Sequence, residues 1–347
     1  MRRWLVGGSV VLLAACLPLD PDYLVTAPLF RGVRTEVVEP GGYASLLHVP
    51  EGRRRATILP LDTVELTAFF AAPPDVTVQP PIWLVCGLDC ADGPLTALAG
   101  DLADCPVPLP LNVQESCRLA EGLQIRFGLA GAFTLARAFL SLVVVGSRDD
   151  DLTPATCVER LTHPPHTELE PCIISQWWLW LGPAWALLPF DVEVGDIPPE
   201  ILHQEVDTNP DVAEFRVTRE RDGSRSEHRV TPGASVGVRR GDRITVEPIF
   251  TEGSSQTFWS TYNDEEGKPW SGELDSSEEQ LWVRAWFDAP ILDLDPDQTL
   301  NGGWTSPLIA WTVPHDVVPT RLFLDVSDFG SGRAFAELLF VADDDIP

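Results

Sequence analysis

Positive charge is scarce in this chain. Lys and Arg number 24 against 52 Asp and Glu, a formal net charge of −28 at pH 7. Such a surface repels phosphate backbones, which excludes nucleic acid as a partner, and it gives no electrostatic grip on anionic headgroups. Hydrophobic runs long enough to cross a membrane, about 20 residues, are missing too. Trp4–Leu13 is too short, and Ile173–Leu188 is interrupted by Gln176, Gly182 and Pro183. Catalytic fingerprints are also lacking: there is no Gly-x-Ser-x-Gly, no His-Glu-x-x-His, no phosphate-binding loop and no dinucleotide motif. The histidines His48, His163, His166, His203, His228 and His315 fall mostly in Pro-rich or charged stretches. With so many acids any carboxylate pair is easily found and says little. The expectation is a protein that is not an enzyme and needs no cofactor, with an unrecognised secreted hydrolase as the outside alternative.

The N-terminus is the most informative segment. Arg2 and Arg3 precede the apolar stretch Trp4–Leu13, and Leu13-Ala14-Ala15-Cys16 then sets a cysteine directly after two small residues. This resembles a bacterial lipoprotein signal peptide with its lipobox. The resemblance implies cleavage before Cys16, lipid attachment to Cys16 and a membrane partner reached through that lipid. Leu17, where an Asp would retain a lipoprotein in the inner membrane, favours the outer membrane. A plain secretory signal cut at an Ala-x-Ala site is the competing reading.

Six cysteines remain: Cys86, Cys90, Cys105, Cys117, Cys157 and Cys172. An even number in an oxidising compartment reads as disulfides. Spacing favours Cys157–Cys172 across the turn Thr162–His166, and leaves the pairing of the other four open.

The body reads as strands punctuated by 32 Pro and 26 Gly. Thr63–Ala71 and Asp242–Phe250 alternate apolar and polar residues, Ile82–Cys86 and Phe139–Val145 are dense apolar runs, and Thr320–Asp328 and Arg333–Ala342 flank a turn at Phe329–Gly332. Helix is confined to Ala155–Leu161 and the stretch near Leu129–Ala138, and Glu200–Val206 reads as a strand. Asp62-Thr63-Val64-Glu65-Leu66 leads to Trp83, and Asp242-Arg243-Ile244-Thr245-Val246 leads to Trp259, a faint duplication. It suggests an all-β chain of two immunoglobulin-like β-sandwich domains in tandem, with Trp83 and Trp259 as paired core tryptophans. The divisions expected are a signal peptide at 1–15, a lipidated tether at 16–30, a disulfide-containing domain at 31–195 and a second domain at 196–347. The whole layout is similar to uncharacterised two-domain surface lipoproteins of gliding Gram-negative bacteria. That likeness rests on the lipobox, Glu39-Pro40-Gly41, Trp83–Cys86, the Cys157–Cys172 loop, and a C-terminal half with Trp259, Trp304 and a closing hairpin. It implies an envelope protein and brings no catalytic residues.

Three features carry binding chemistry. Trp177, Trp178 and Trp180 would alternate across a strand, either filling the core and the domain junction or forming a platform for a glycan or for membrane headgroups. Cys157, His163, His166 and Cys172 have zinc-like spacing, against which stands the disulfide. Asp293, Asp295 and Asp297 begin like a calcium loop but lack its Gly and its bidentate Glu, so they read as a solvated acidic loop. No metal site is therefore assigned. The function expected is that of a lipid-anchored scaffold or interaction module whose partner is an envelope protein or a glycan. A glycan- or calcium-binding surface adhesin is the alternative.

Overall fold

A computed structural model describes residues 23–87, 98–131, 139–163, 166, 168–182, 197–261, 274–294, 308–315, 319–328 and 330–343. Cys16, Cys90, Asp295, Asp297, Trp304 and the boundary expected near residue 196 lie outside the described residues. The chain is nearly all β, with a β-sandwich-like build.

The first module contains β1 (Leu29–Glu39), β2 (Thr63–Ala71), β3 (Ile82–Cys86), β4 (Cys117–Glu121), β5 (Gln124–Gly128), β6 (Phe139–Ser147) and β7 (Cys172–Trp180). One sheet runs β1-β2-β5 and the other β4-β3-β6-β7. Alternation in β2 turns Val64, Leu66 and Ala68 inward against Trp83, Val85, Leu142 and Val144 of the facing sheet. Trp83 is 0% exposed, and its indole N–H donates to the Gly122 carbonyl at 2.8 Å. The dense runs in β3 and β6 have a physical cause: both strands are buried on both faces. Their second face, with Ile82, Leu84, Val143 and Val145, is covered by the helix α1 (Pro154–Thr162) through Cys157 and Leu161. Thr153 caps α1 by accepting from the Thr156 N–H, and Pro154 opens its first turn. Disulfides join Cys157 to Cys172 and Cys105 to Cys117, and Cys86 is also disulfide-bonded.

The second module is built from β8 (Val212–Arg221), β9 (Ser224–Val230), β10 (Ser235–Val238), β11 (Arg243–Phe250), β14 (Trp282–Phe287), β15 (Ile309–Thr312), β16 (Thr320–Ser327) and β17 (Arg333–Ala342). Its sheets run β15-β11-β8-β9 and β10-β17-β16-β14, with β10 parallel to β17. Between β11 and β14 the chain makes a separate two-stranded hairpin of β12 (Thr257–Thr261) and β13 (Leu274–Glu278).

That inserted hairpin overturns the expectation for Trp259. The residue lies on β12, half-buried, outside the core, because the strand that follows β11 in the sandwich is β14 rather than β12. The large buried rings of this core are Phe215, Phe287, Trp311 and Phe340, with Trp311 edge-on to Phe287 at 5.0 Å and to Phe340 at 4.9 Å. The Glu200–Val206 strand is also corrected. Pro199–Leu202 forms the short helix α2, whose first turn suits the fixed backbone angle of Pro199. Residues 129–131 are not helical, and 132–138 lie outside the described residues.

The acidic residue that opens each half of the duplication has a common structural role. Asp62 accepts from the Leu59 N–H at 2.7 Å, and Asp242 accepts from the Arg239 N–H at 2.8 Å. Each carboxylate thereby closes the turn that enters β2 or β11. The third turn residue has positive φ in both cases, Leu61 at 69° and Gly241 at 78°. Each carboxylate is fully buried and paired with an arginine, Arg55 and Arg221 respectively.

Candidate functional site

The two modules meet along the segment that joins them, and this junction gathers the unusual chemistry of the molecule. On one side, Val206 N–H donates to His48 O (3.0 Å), Ala56 N–H to Asp207 O (2.9 Å) and Asn209 Nδ2 to Thr35 O (2.7 Å). On the other side Gln256, just before β12, grips the same segment. Its Oε1 accepts from the Thr208 N–H (3.0 Å) and its Nε2 donates to Val206 O (3.0 Å). Arg53 of the first module donates to Asn209 O (2.6 Å) and to Thr251 Oγ1 (3.0 Å). The N-terminal segment joins in as well. Residues 23–25, expected in the tether, bridge to the end of β14 through Val25 N–H to Phe287 O (2.7 Å) and Phe287 N–H to Tyr23 O (2.8 Å).

At one end of the junction three carboxylates converge: Asp207 from the joining segment, Glu279 just after β13, and Asp328 at the tip of the β16–β17 hairpin. They are 8%, 5% and 8% exposed, and one oxygen from each lies within 4.8 Å of the others. In each residue one oxygen is held by a backbone N–H. Ser331 donates to Asp207 Oδ2 at 2.5 Å, Gln256 to Glu279 Oε2 at 3.3 Å and Gly332 to Asp328 Oδ1 at 2.9 Å. The second oxygen of each, Asp207 Oδ1, Glu279 Oε1 and Asp328 Oδ2, is buried without a hydrogen-bond partner. The hairpin tip requires glycine for this. A Cβ on Gly330 would stand 2.3 Å from Asp207 Oδ2, and one on Gly332 would stand 1.9 Å from Asp328 Oδ2. Burial raises all three acids above the ordinary carboxylate range. Asp207 is eased back by its bonds from Ser331, whereas Glu279 is pushed further by Asp207, and Asp328 by both neighbours. Asp207 and Glu279 line a cleft of about 470 Å³ together with Phe258, Ser277, Glu278 and Gly330.

At the other end the junction is aromatic. A bulge in β1 between Phe30 and Gly32 releases Arg31 from the ladder, and its guanidinium lies 3.1 Å over the Trp286 ring of β14. Its three nitrogens are buried without hydrogen-bond partners. Burial pulls its pKa down to about 9, with Asp325 opposing the shift and Arg284 and Arg333 adding to it. Phe69 of β2 stacks on Phe335 of β17 at 4.0 Å, and Arg333 sits 4.9 Å over Trp177. Gly32 is needed here, since a Cβ would meet Phe335 and Trp177 at 3.1 and 3.3 Å.

The features singled out from the sequence are placed as follows. Trp177 faces the junction, half-buried, while Trp178 (37% exposed) and Trp180 (47% exposed) stand on the opposite face of the edge strand β7 around Phe139. Cys157 and Cys172 are bonded to each other, which removes them as zinc ligands, and His163 faces Asp101. Asp293 has φ of 51°, and its companions Asp295 and Asp297 lie outside the described residues. Nothing in the sequence sets Asp207, Glu279 and Asp328 apart. They are far apart in the chain among 52 acids, and the only local hint was the Gly-rich tip after Asp328. Comparison of the chain with family models, with curated proteins and with solved structures returns no match.

Proposed function

We propose that this protein is a lipid-anchored component of the cell envelope, held in the outer membrane through Cys16, whose two immunoglobulin-like modules act together as a non-enzymatic scaffold or interaction module. The sheet orders support the immunoglobulin-like reading. In the first module β1-β2-β5 faces β4-β3-β6-β7, the arrangement of strands A-B-E against C′-C-F-G. In the second, β8-β11-β15 takes the place of A-B-E, and β14-β16-β17-β10 takes that of C-F-G with a parallel first-strand segment.

The observation that carries the proposal is the docking of residues 23–25 on β14. Leu17–Asp22 is then all that separates the lipidated cysteine from the folded body, a reach of at most about 25 Å. The chain enters at the junction rather than at a free end, so a lipid on Cys16 would keep both modules beside the bilayer. A body held in this way suits a surface that presents or receives a partner.

Replacing Cys16 with Ser should remove palmitate labelling and release the protein from the membrane fraction, because a lipid contributes about 0.8 kcal/mol per buried methylene and no other anchor is evident in the sequence. Labelling and membrane retention that survive the replacement would refute the proposal.

One observation favours a glycan as the partner. Trp178 and Trp180 expose their rings on an edge strand next to the Gly330–Ser331 tip and Arg333, where a cleft of about 130 Å³ opens. On this reading the Trp178→Ala, Trp180→Ala double variant keeps its fold and loses binding to envelope polysaccharide. Unchanged binding would reject it.

A further inference from the structure

We infer that Asp207, Glu279 and Asp328 form a binding site for one hard divalent cation of the calcium class, which clamps the joining segment to the β12–β13 base and to the tip of the β16–β17 hairpin. The inference goes beyond anchoring and holds whether or not Cys16 is lipidated.

The argument begins with charge. Three carboxylates buried within 4.8 Å of one another are mutually repulsive. Among the described residues no basic side chain pairs with any of them; Arg333 is occupied with Asp325 and Trp177. A buried charge without a partner is costly, and proteins meet that cost by neutralising the group or by binding a metal.

The arrangement of the oxygens decides between these outcomes. Asp207 Oδ1, Glu279 Oε1 and Asp328 Oδ2 are buried acceptors without a hydrogen-bond partner, one from each residue, which a shared cation would satisfy together. Each carboxylate is fixed through its other oxygen by a backbone N–H, from Ser331, Gln256 and Gly332 respectively. This is how ligating carboxylates are oriented by an outer shell of hydrogen bonds. The holders come from two parts of the fold, Gln256 just before β12 and the neighbouring Ser331 and Gly332 at the hairpin tip, where the glycines at 330 and 332 allow the backbone to approach closely enough.

The donors also indicate the ion. All are anionic oxygens, without the nitrogen or sulfur that zinc and copper favour. Calcium binds oxygen at about 2.3–2.6 Å, so two oxygens on one ion stand up to about 5 Å apart, which the spacing in this cluster satisfies. Magnesium requires a tighter octahedron and gives up its waters reluctantly. Water from the adjoining cleft can complete the calcium shell.

A bound ion would act on the junction because Asp207 belongs to both sides of it. Its carbonyl accepts from Ala56 of the first module, while its carboxylate lies against the hairpin of the second. Cation binding would therefore fix the orientation of the two modules.

The test uses the mature full-length chain in detergent micelles, stripped with chelator and then given calcium chloride. Dialysis and metal analysis should find one calcium per chain, and the melting temperature should rise by several degrees, as expected for a ligand that binds only the folded state. Glu279→Gln and Asp328→Asn should each abolish both effects. Because each removes one of three repelling charges, neither should melt below the chelated wild type. Asp293→Asn should leave calcium binding intact. The inference is overturned if the wild type binds no calcium, if both the Glu279 and Asp328 variants still respond, or if the response disappears with Asp293→Asn.

Discussion

Replacing Trp83 with alanine is expected to cost about 3–5 kcal/mol of folding stability. The ring is fully buried between the two sheets of the first module, among Val64, Leu66, Leu142 and Val144. No neighbour is free to move into the space, since the second face of β3 is held by α1 and the Cys157–Cys172 bridge. The replacement also strands the Gly122 carbonyl, which accepts from the indole N–H at 2.8 Å. Urea unfolding would show a lower midpoint with little change in slope. Trp259→Ala serves as the contrast. That ring is half-buried on the β12–β13 hairpin, outside the second core, so its removal is expected to cost no more than about 1 kcal/mol. Equal losses at the two positions would mean that Trp259 fills a core after all.

Asp62→Ala is expected to cost a similar amount, about 3–5 kcal/mol, for an electrostatic reason. Asp62 and Arg55 are 0% and 2% exposed at the side chain, and Arg55 Nη2 donates to both carboxylate oxygens at 2.7–2.8 Å. Removing the carboxylate leaves a buried guanidinium with little beyond the Thr57 carbonyl at 3.5 Å. It also opens the turn into β2, because the N–H groups of Leu59 and Gly41 lose their acceptor. The Arg55→Met, Asp62→Leu double replacement should recover a large part of the loss, since a buried pair contributes little net stability once its desolvation is counted. At the corresponding pair in the second module Arg221 is 26% exposed, so solvent screens the stranded charge and Asp242→Ala should cost less. A double-mutant cycle measured by urea unfolding checks the first pair, and a double variant no more stable than Asp62→Ala would contradict this account.

Much of the fold was legible because its signals are local. Alternation in Thr63–Ala71, the pairing of β16 with β17 and the Ala155–Leu161 helix each depend on residues close in sequence. The Asp62 and Asp242 repeat was visible for the same reason, as each acid closes a turn with a residue three positions earlier. Trp259 misled because an inserted hairpin has the same alternating texture as a sandwich strand, and only pairing distinguishes them. Glu200–Val206 misled because its apolar residues suit a strand, while the preceding prolines favour a helical turn. The carboxylate cluster was not legible at all. It unites residues from a connection, a hairpin base and a hairpin tip, and nothing in their immediate neighbours distinguishes them from the other acids of a very acidic chain. Arg31 was hidden by a bulge that sequence alternation does not reveal.

The central claim is that the two modules form one body, fixed about the segment that joins them. The prolines at 183, 189, 198 and 199 would by themselves suggest two modules that lose stability independently. The hydrogen bonds on both sides of residues 206–209, the Phe69–Phe335 stack and the docked residues 23–25 argue for coupling. Scanning calorimetry of the mature chain tests this most directly. One cooperative transition is expected, with calorimetric and van't Hoff enthalpies in agreement and a single peak displaced as a whole by Trp83→Ala. Two resolved transitions, of which Trp83→Ala moves only one, would contradict it.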